Sequence, residues 1–182
     1  DLLSAQDAVA ICVFDLNNLR NINNNLGHDK GDEYIRSFAV QLRIAVADEY
    51  FVGRDGGDEF ISVLKNVTRM QVEECLRDIR EQAAKYSKEY PEMPISYAVG
   101  YAMSQDFEQS TMRELFRYAD KNMYIDKNRA KMEEAAEEKR MNQRLLAKVK
   151  EMGYQFSDCL YCDVFMDQYR VLRASSKFFL AE

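Results

Sequence analysis

Arg54-Asp55-Gly56-Gly57-Asp58-Glu59-Phe60 sets two carboxylates directly after a glycine pair, between the apolar runs Tyr50-Phe51-Val52 and Phe60-Ile61-Ser62-Val63-Leu64. Backbone without side chains opens its N–H groups to phosphates. Neighbouring carboxylates, however, repel a bare polyphosphate unless a divalent cation lies between them. The stretch therefore predicts a metal–nucleotide site on a β-turn. The same residue types would also make the polar tip of an acidic surface hairpin, and spacing alone leaves both readings open.

The flanking elements must hold that turn. Two glycines between strand-like runs predict a hairpin turn at Gly56-Gly57, because glycine enters positive φ without steric cost. Upstream, Ala8-Val9-Ala10-Ile11-Cys12-Val13-Phe14 is a continuous apolar run of strand length, and its lack of alternation predicts burial on both faces. It ends at Asp15, which places a carboxylate at the C-terminal edge of a central strand, where sheet ligands commonly sit. Asn21 to Asn25, running into Gly27-His28-Asp29-Lys30-Gly31-Asp32, predicts turns and irregular backbone. From Gly31 the spacing of Ile35, Phe38, Ala39, Leu42 and Val46 predicts a helix. Thr68-x-x-Gln71 and Thr111-x-x-Glu114 are capping boxes, the first opening a helix with Val72, Cys75, Leu76, Ile79 and Ala83 inward, the second one with Leu115, Tyr118, Ala119 and Met123 inward. Between them, after Pro91 and Pro94, Ile95 to Tyr101 predicts a strand. The order β-α-β-β-α-β-α implies an α+β fold, a mixed central sheet flanked by helices and related to ferredoxin-like arrangements.

Beyond about Lys131 the composition changes. Met132 to Met152 is dominated by Glu, Lys, Arg and Ala with a thin apolar seam of Ala136, Leu145, Val149 and Met152, which predicts a solvated helix, either a linker or half of a coiled coil. The expected organisation is a domain over 1–131, a charged helical linker over 132–153 and an apolar segment over 154–182. The last, rich in residues such as Phe156, Leu160, Phe165 and Phe179, needs a surface to dock on or belongs to a further domain.

An apolar share of 47% with 31% charged residues describes a soluble globular chain of 182 residues, long enough for a proper core. No run approaches the roughly 20 apolar residues of a membrane span. No signal peptide is visible, and Asp1 is not a natural start, so the chain reads as a fragment that an anchor could precede. A net charge of −6 argues against bulk nucleic-acid binding. The cysteines Cys12 and Cys75 read as core residues of a reducing compartment; Cys159-x-x-Cys162 lacks a second pair or a nearby histidine and reads as structural. The expected location is the cytoplasm.

Asp15 after a strand, Asn23, Gly27-His28-x-x-Gly31-Asp32, the Arg54–Phe60 stretch, Ser96-x-x-x-Gly100 and Ala119-Asp120-x-x-Met123-Tyr124-x-x-Lys127 occur in the order found in GGDEF-domain diguanylate cyclases. The resemblance covers about residues 8 to 131. It implies a palm-like fold, similar to nucleotidyl cyclases, that condenses two GTP into cyclic di-GMP and two pyrophosphates. Two subunits of a homodimer would each hold one GTP, downstream of a sensor domain outside this chain. It further implies two Mg²⁺ or Mn²⁺ ions per site held by Asp15, Asp58 and Glu59, with Asp58 and Glu59 as the catalytic pair and either Asp58 or a metal-bound hydroxide drawing the proton from the 3′-hydroxyl. Gly56 and Gly57 would lie against the α-phosphate and ribose, Asn23 and Asp32 against guanine, and Lys127 and Lys131 against the β- and γ-phosphates. A carboxylate at Asp32 favours guanine, whose N1–H and N2–H₂ it accepts, over adenine. His28 reads as a loop-fixing hydrogen bonder.

Departures qualify the resemblance. Asn17 stands where the family usually has Asp, Leu19-Arg20 replaces Phe-Lys, Asn24 replaces a frequent Asp, and Lys131 replaces Arg, keeping charge without bidentate geometry. The family's opening helix motif is absent. Ala47 and Tyr50 occupy the usual Arg and Asp positions of the product-inhibition site, so no allosteric product site is expected. A competing reading is a weak or inactive module that binds GTP and regulates a neighbour; a third is a scaffold whose working part follows Met132.

Overall fold

The computed structural model describes residues 2–151. Four strands form the main sheet: β2 (Ala10–Leu16), β3 (Phe51–Gly56), β4 (Glu59–Leu64) and β5 (Tyr97–Met103), in the order β3-β4-β2-β5. The helices are α1 (Leu19–Leu26), α2 (His28–Ala45), α3 (Arg69–Glu89) and α4 (Met112–Glu151). A small second sheet pairs β1 (Leu2–Ser4) with β6 (Gln109–Thr111). The split βαβ order expected of a ferredoxin-like arrangement is present. Every ladder is antiparallel. The sheet expected as mixed has no parallel ladder because β4 lies between the co-directional strands β2 and β3.

β2 is buried along its whole length, as its unbroken apolar run predicts. Cys12, Phe14 and Leu16 join Tyr34, Phe38 and Leu42 of α2 and Val72, Leu76 and Ile79 of α3 in one core. Val9, Ile11 and Val13 join Leu115, Ala119 and Met123 of α4 in the other. This is the period-2 alternation of a strand covered on both sides. In the first core, Phe38 meets Phe60 edge to face at 5.1 Å between centroids and lies 5.0 Å from Tyr97. Truncating such a ring to Ala costs about 3–5 kcal/mol.

Both capping boxes form. Thr68 N–H donates to Gln71 Oε1 at 2.8 Å, and Thr111 N–H to Glu114 Oε2 at 2.8 Å. The asparagine-rich passage, by contrast, is helical rather than irregular: Leu19 and Ile22 pack on the core and supply the burial that asparagine propensity lacks. Residues 1–133 form one compact unit, and a second begins at Glu134. No helix among the described residues is long and apolar enough to cross a membrane. Cys12 is buried and Cys75 half-buried, both with free thiols; the readings for residues 154–182, Cys159 and Cys162 among them, lie outside the described residues.

Candidate active site

Strand pairing alone brings the acidic residues together. Asp15, at the end of β2, sits opposite Glu59, the first residue of β4. The next backbone contact ties the turn to the same strand, Leu16 N–H donating to the Asp58 carbonyl at 2.9 Å. The tight loop of the hairpin is Gly57-Asp58 rather than Gly56-Gly57. Gly56 still pairs with Glu59, and a bulge at Asp55 absorbs the extra residue. Of the two glycines of the turn, only Gly57 takes positive φ, at 50°. A Cβ on either Gly56 or Gly57 would meet nothing within 4 Å, so the space above the turn is open. Arg54 braces the loop from beneath, its Nε and Nη2 donating to the Gly57 carbonyl at 3.0 and 2.7 Å.

The charge at this end of the sheet is lopsided. Partial burial, and then the carboxylates of Asp15, Asp58, Asp120 and Asp55, hold the Glu59 carboxyl above its usual range. Asp15 is 6% exposed and is neutralised by one lysine: Lys127 Nζ donates to both carboxylate oxygens at 2.7 Å. A surplus of carboxylates that raises a neighbour's proton affinity is the electrostatic setting a divalent cation relieves. The donor set, all hard oxygen, suits Mg²⁺ or Mn²⁺. No three acidic, histidine or cysteine groups among the described residues converge into a metal cluster.

A second corner is built by α1 and α2. A Cβ on Gly31 would fall 1.8 Å from Asn23 Oδ1, so only glycine lets the Asn23 side chain lie against α2. That contact sets Asn23 beside the turn of helix that carries Asp32. Asn23 Oδ1 is buried and has no hydrogen-bond partner among the described residues, whereas Asp32 is exposed and pairs with Arg36 at 3.9 Å. An orphaned acceptor costs about 1–3 kcal/mol unless a ligand meets it.

Residues 2–133 match the family profile described as "Diguanylate cyclase, GGDEF domain". The chain belongs to the GGDEF family. Among solved structures, an EAL/GGDEF domain protein from M. capsulatus superposes with a TM-score of 0.58 at 30% identity, over 68% of this chain and 80% of that one. The active GGEEF domain of a diguanylate cyclase from Vibrio cholerae superposes with a TM-score of 0.59 at 26% identity, over 68% and 79%. An uncharacterized membrane protein of Staphylococcus haemolyticus is 28% identical over 127 residues, 67% of this chain but 35% of its own length. This chain thus spans about a third of the curated relatives it matches.

In this GGDEF domain the remaining residues named from the sequence fall at differing distances from the turn. Lys131 is exposed and forms no ion pair with the described residues. His28 opens α2, exposed and without a side-chain hydrogen bond to the described residues, so it fixes no loop. Asn17 Nδ2 donates to Ser96 Oγ at 3.1 Å, which ties the loop after β2 to the approach to β5. Ala47 and Tyr50 share the turn between α2 and β3, Tyr50 N–H donating to the Ala47 carbonyl at 3.0 Å. Asp120 is the residue sequence reasoning left without a role. Its charge acts on Glu59 from α4, and its place in the Ala119–Lys127 motif was the signal that could have marked it.

Proposed function

We propose that this GGDEF domain is a diguanylate cyclase that joins two GTP molecules into cyclic di-GMP with release of two pyrophosphates, acting as a homodimer with one GTP per subunit. The observation that carries the reading is the pairing of Asp15 with Glu59 at the foot of an open glycine turn, where partial burial and then neighbouring carboxylates disfavour ionisation of Glu59. Asp15, Asp58 and Glu59 are the residues that would hold two Mg²⁺ or Mn²⁺ ions. Such ions, when bound, neutralise charge on the transferring phosphoryl group and make the 3′-hydroxyl more acidic.

The chain's own groups supply the rest. Asp58 accepts the 3′-hydroxyl proton as the oxygen bonds to the partner GTP's α-phosphorus and the bond to the β-phosphate breaks. Repetition of the step in the other direction closes the ring. Gly56 and Gly57 give the α-phosphate and ribose room to approach the backbone. Lys127, and Lys131 one helical turn on, meet the β- and γ-phosphates. Asn23 with its free acceptor, and Asp32 beside it, take guanine's N–H groups. Because Ala47 and Tyr50 offer neither guanidinium nor carboxylate, product binds only at the substrate site. A GTP substrate fits a cytoplasmic domain, and the staphylococcal relatives, described as membrane proteins, fit one carried by a membrane protein.

A second reading, a GTP-binding module that regulates a neighbour without turnover, is favoured by one observation: Lys127 occupies both oxygens of Asp15. Incubation of purified protein with GTP and Mg²⁺ separates the two. Cyclic di-GMP that disappears with Asp58→Ala supports the cyclase, whereas GTP binding by a dimer that yields no product supports the module.

A further inference from the structure

Among the described residues β5 is an outer strand of the main sheet, so one row of its backbone groups has no strand partner there. Two side chains of α4 take that row. Asn122 Nδ2 donates to the Tyr101 carbonyl at 2.9 Å, and Val99 N–H donates to Asp126 Oδ2 at 3.1 Å. The spacings agree: four helical residues rise about 6 Å, and two strand residues span about 6.6 Å. Between the two bonds, a Cβ on Gly100 would lie 2.0 Å from Met123 N and 2.3 Å from the Ala119 carbonyl, so the helix backbone rests on the strand there. Arg129 pairs with the other oxygen of Asp126 at 2.5 Å and holds that carboxylate in place.

We infer that Asn122 and Asp126 are positioning residues that lock the register of α4 against β5 and thereby hold the Lys127 ammonium at Asp15. A slip of α4 by one residue moves it about 1.5 Å and turns it by about 100°, which carries Lys127 away from the sheet. Edge capping alone needs only some polar group on each strand atom. Here the second clamp point is the residue next to Lys127, so the bond that caps the strand also sets where the lysine points. Two bonds on either side of a bare glycine fix both the translation and the rotation of the helix. The bearing of this clamp on turnover rests on the cyclase reading.

The test uses the full chain without nucleotide or metal. Amide hydrogen exchange of Val99 reads the clamp, and competitive amine labelling of Lys127, with Lys65 and Lys88 as internal references, reads the pairing with Asp15. In Asp126→Ala and Asn122→Ala, Lys127 labelling and Val99 exchange rise about twofold to tenfold, the range that losing one net hydrogen bond permits. Asp126→Asn keeps an acceptor for Val99 N–H while giving up the charge facing Arg129, and it returns both readouts toward those of the unmodified chain. Faster Val99 exchange with unchanged Lys127 labelling would reduce the pair to edge capping and overturn the inference, as would no change in either. Should Asp126→Ala fail to fold, Asn122→Ala and Asp126→Asn decide. A dimer that binds GTP and makes no cyclic di-GMP refutes the cyclase reading and leaves both readouts standing.

Discussion

At the scale of single residues, the Glu59 carboxyl links stability to function. Its folded pKa lies above the ordinary 4.5 because burial and four neighbouring carboxylates disfavour its charge. Above that ordinary value the native state holds its proton more tightly than the unfolded chain does. Stability therefore falls as pH rises through the window that opens there. Glu59→Gln removes this repulsion, and its melting temperature at pH 7 is expected to exceed that of the unmodified chain by about 1–3 °C. The effect is small because solvent screens partly exposed charges. The difference should close below about pH 4, and Mg²⁺ should raise the melting point of the unmodified chain more than that of the variant. A calorimetric series over pH checks the sign; a variant less stable at pH 7 would mean that Glu59 makes a favourable contact the electrostatic picture omits.

At the scale of elements, two glycines predict opposite outcomes for the same substitution. Gly31→Ala points its methyl at the end of the Asn23 side chain, which can rotate away. Alanine also gains helix propensity of about 1 kcal/mol. The fold should therefore hold or tighten slightly while GTP affinity drops about tenfold, since the displaced amide loses its bond to the base. Gly100→Ala drives its methyl into the backbone of α4 at Ala119 and Met123, where no rotamer relieves the clash. That variant should lose about 2–3 kcal/mol in urea unfolding. Affinity measured beside denaturation separates the two cases, and a Gly31→Ala protein with unchanged GTP affinity would remove Asn23 from the base site.

At the scale of the whole molecule, the proposed reaction needs two sites facing each other, so turnover per subunit should climb with protein concentration until dimers saturate. A rate per subunit that stays flat over a hundredfold dilution would contradict attack between subunits. How much of this molecule could be read without coordinates varies with the range of the interaction. Hydrophobic period, capping boxes and the glycine-acid stretch act over a few residues, and they sufficed for the order of the main-sheet strands with α2, α3 and α4, the buried central strand and the family, but not for β1, β6 or α1. They failed at Asn21 to Asn25, where burial of Leu19 and Ile22 overrode local preference, and at the turn, where a bulge moved the loop one residue on. Sequence by itself thus determined which residue types stand ready for phosphoryl chemistry and on which elements they ride, because patterning and motif spacing are local properties of a chain. Tertiary structure alone decided that Asp15 faces Glu59, that Lys127 sits on Asp15 and that Asn122 and Asp126 grip β5. Those contacts join residues far apart in the chain, and only the register of strands and the seating of one helix on a bare glycine fix their distances.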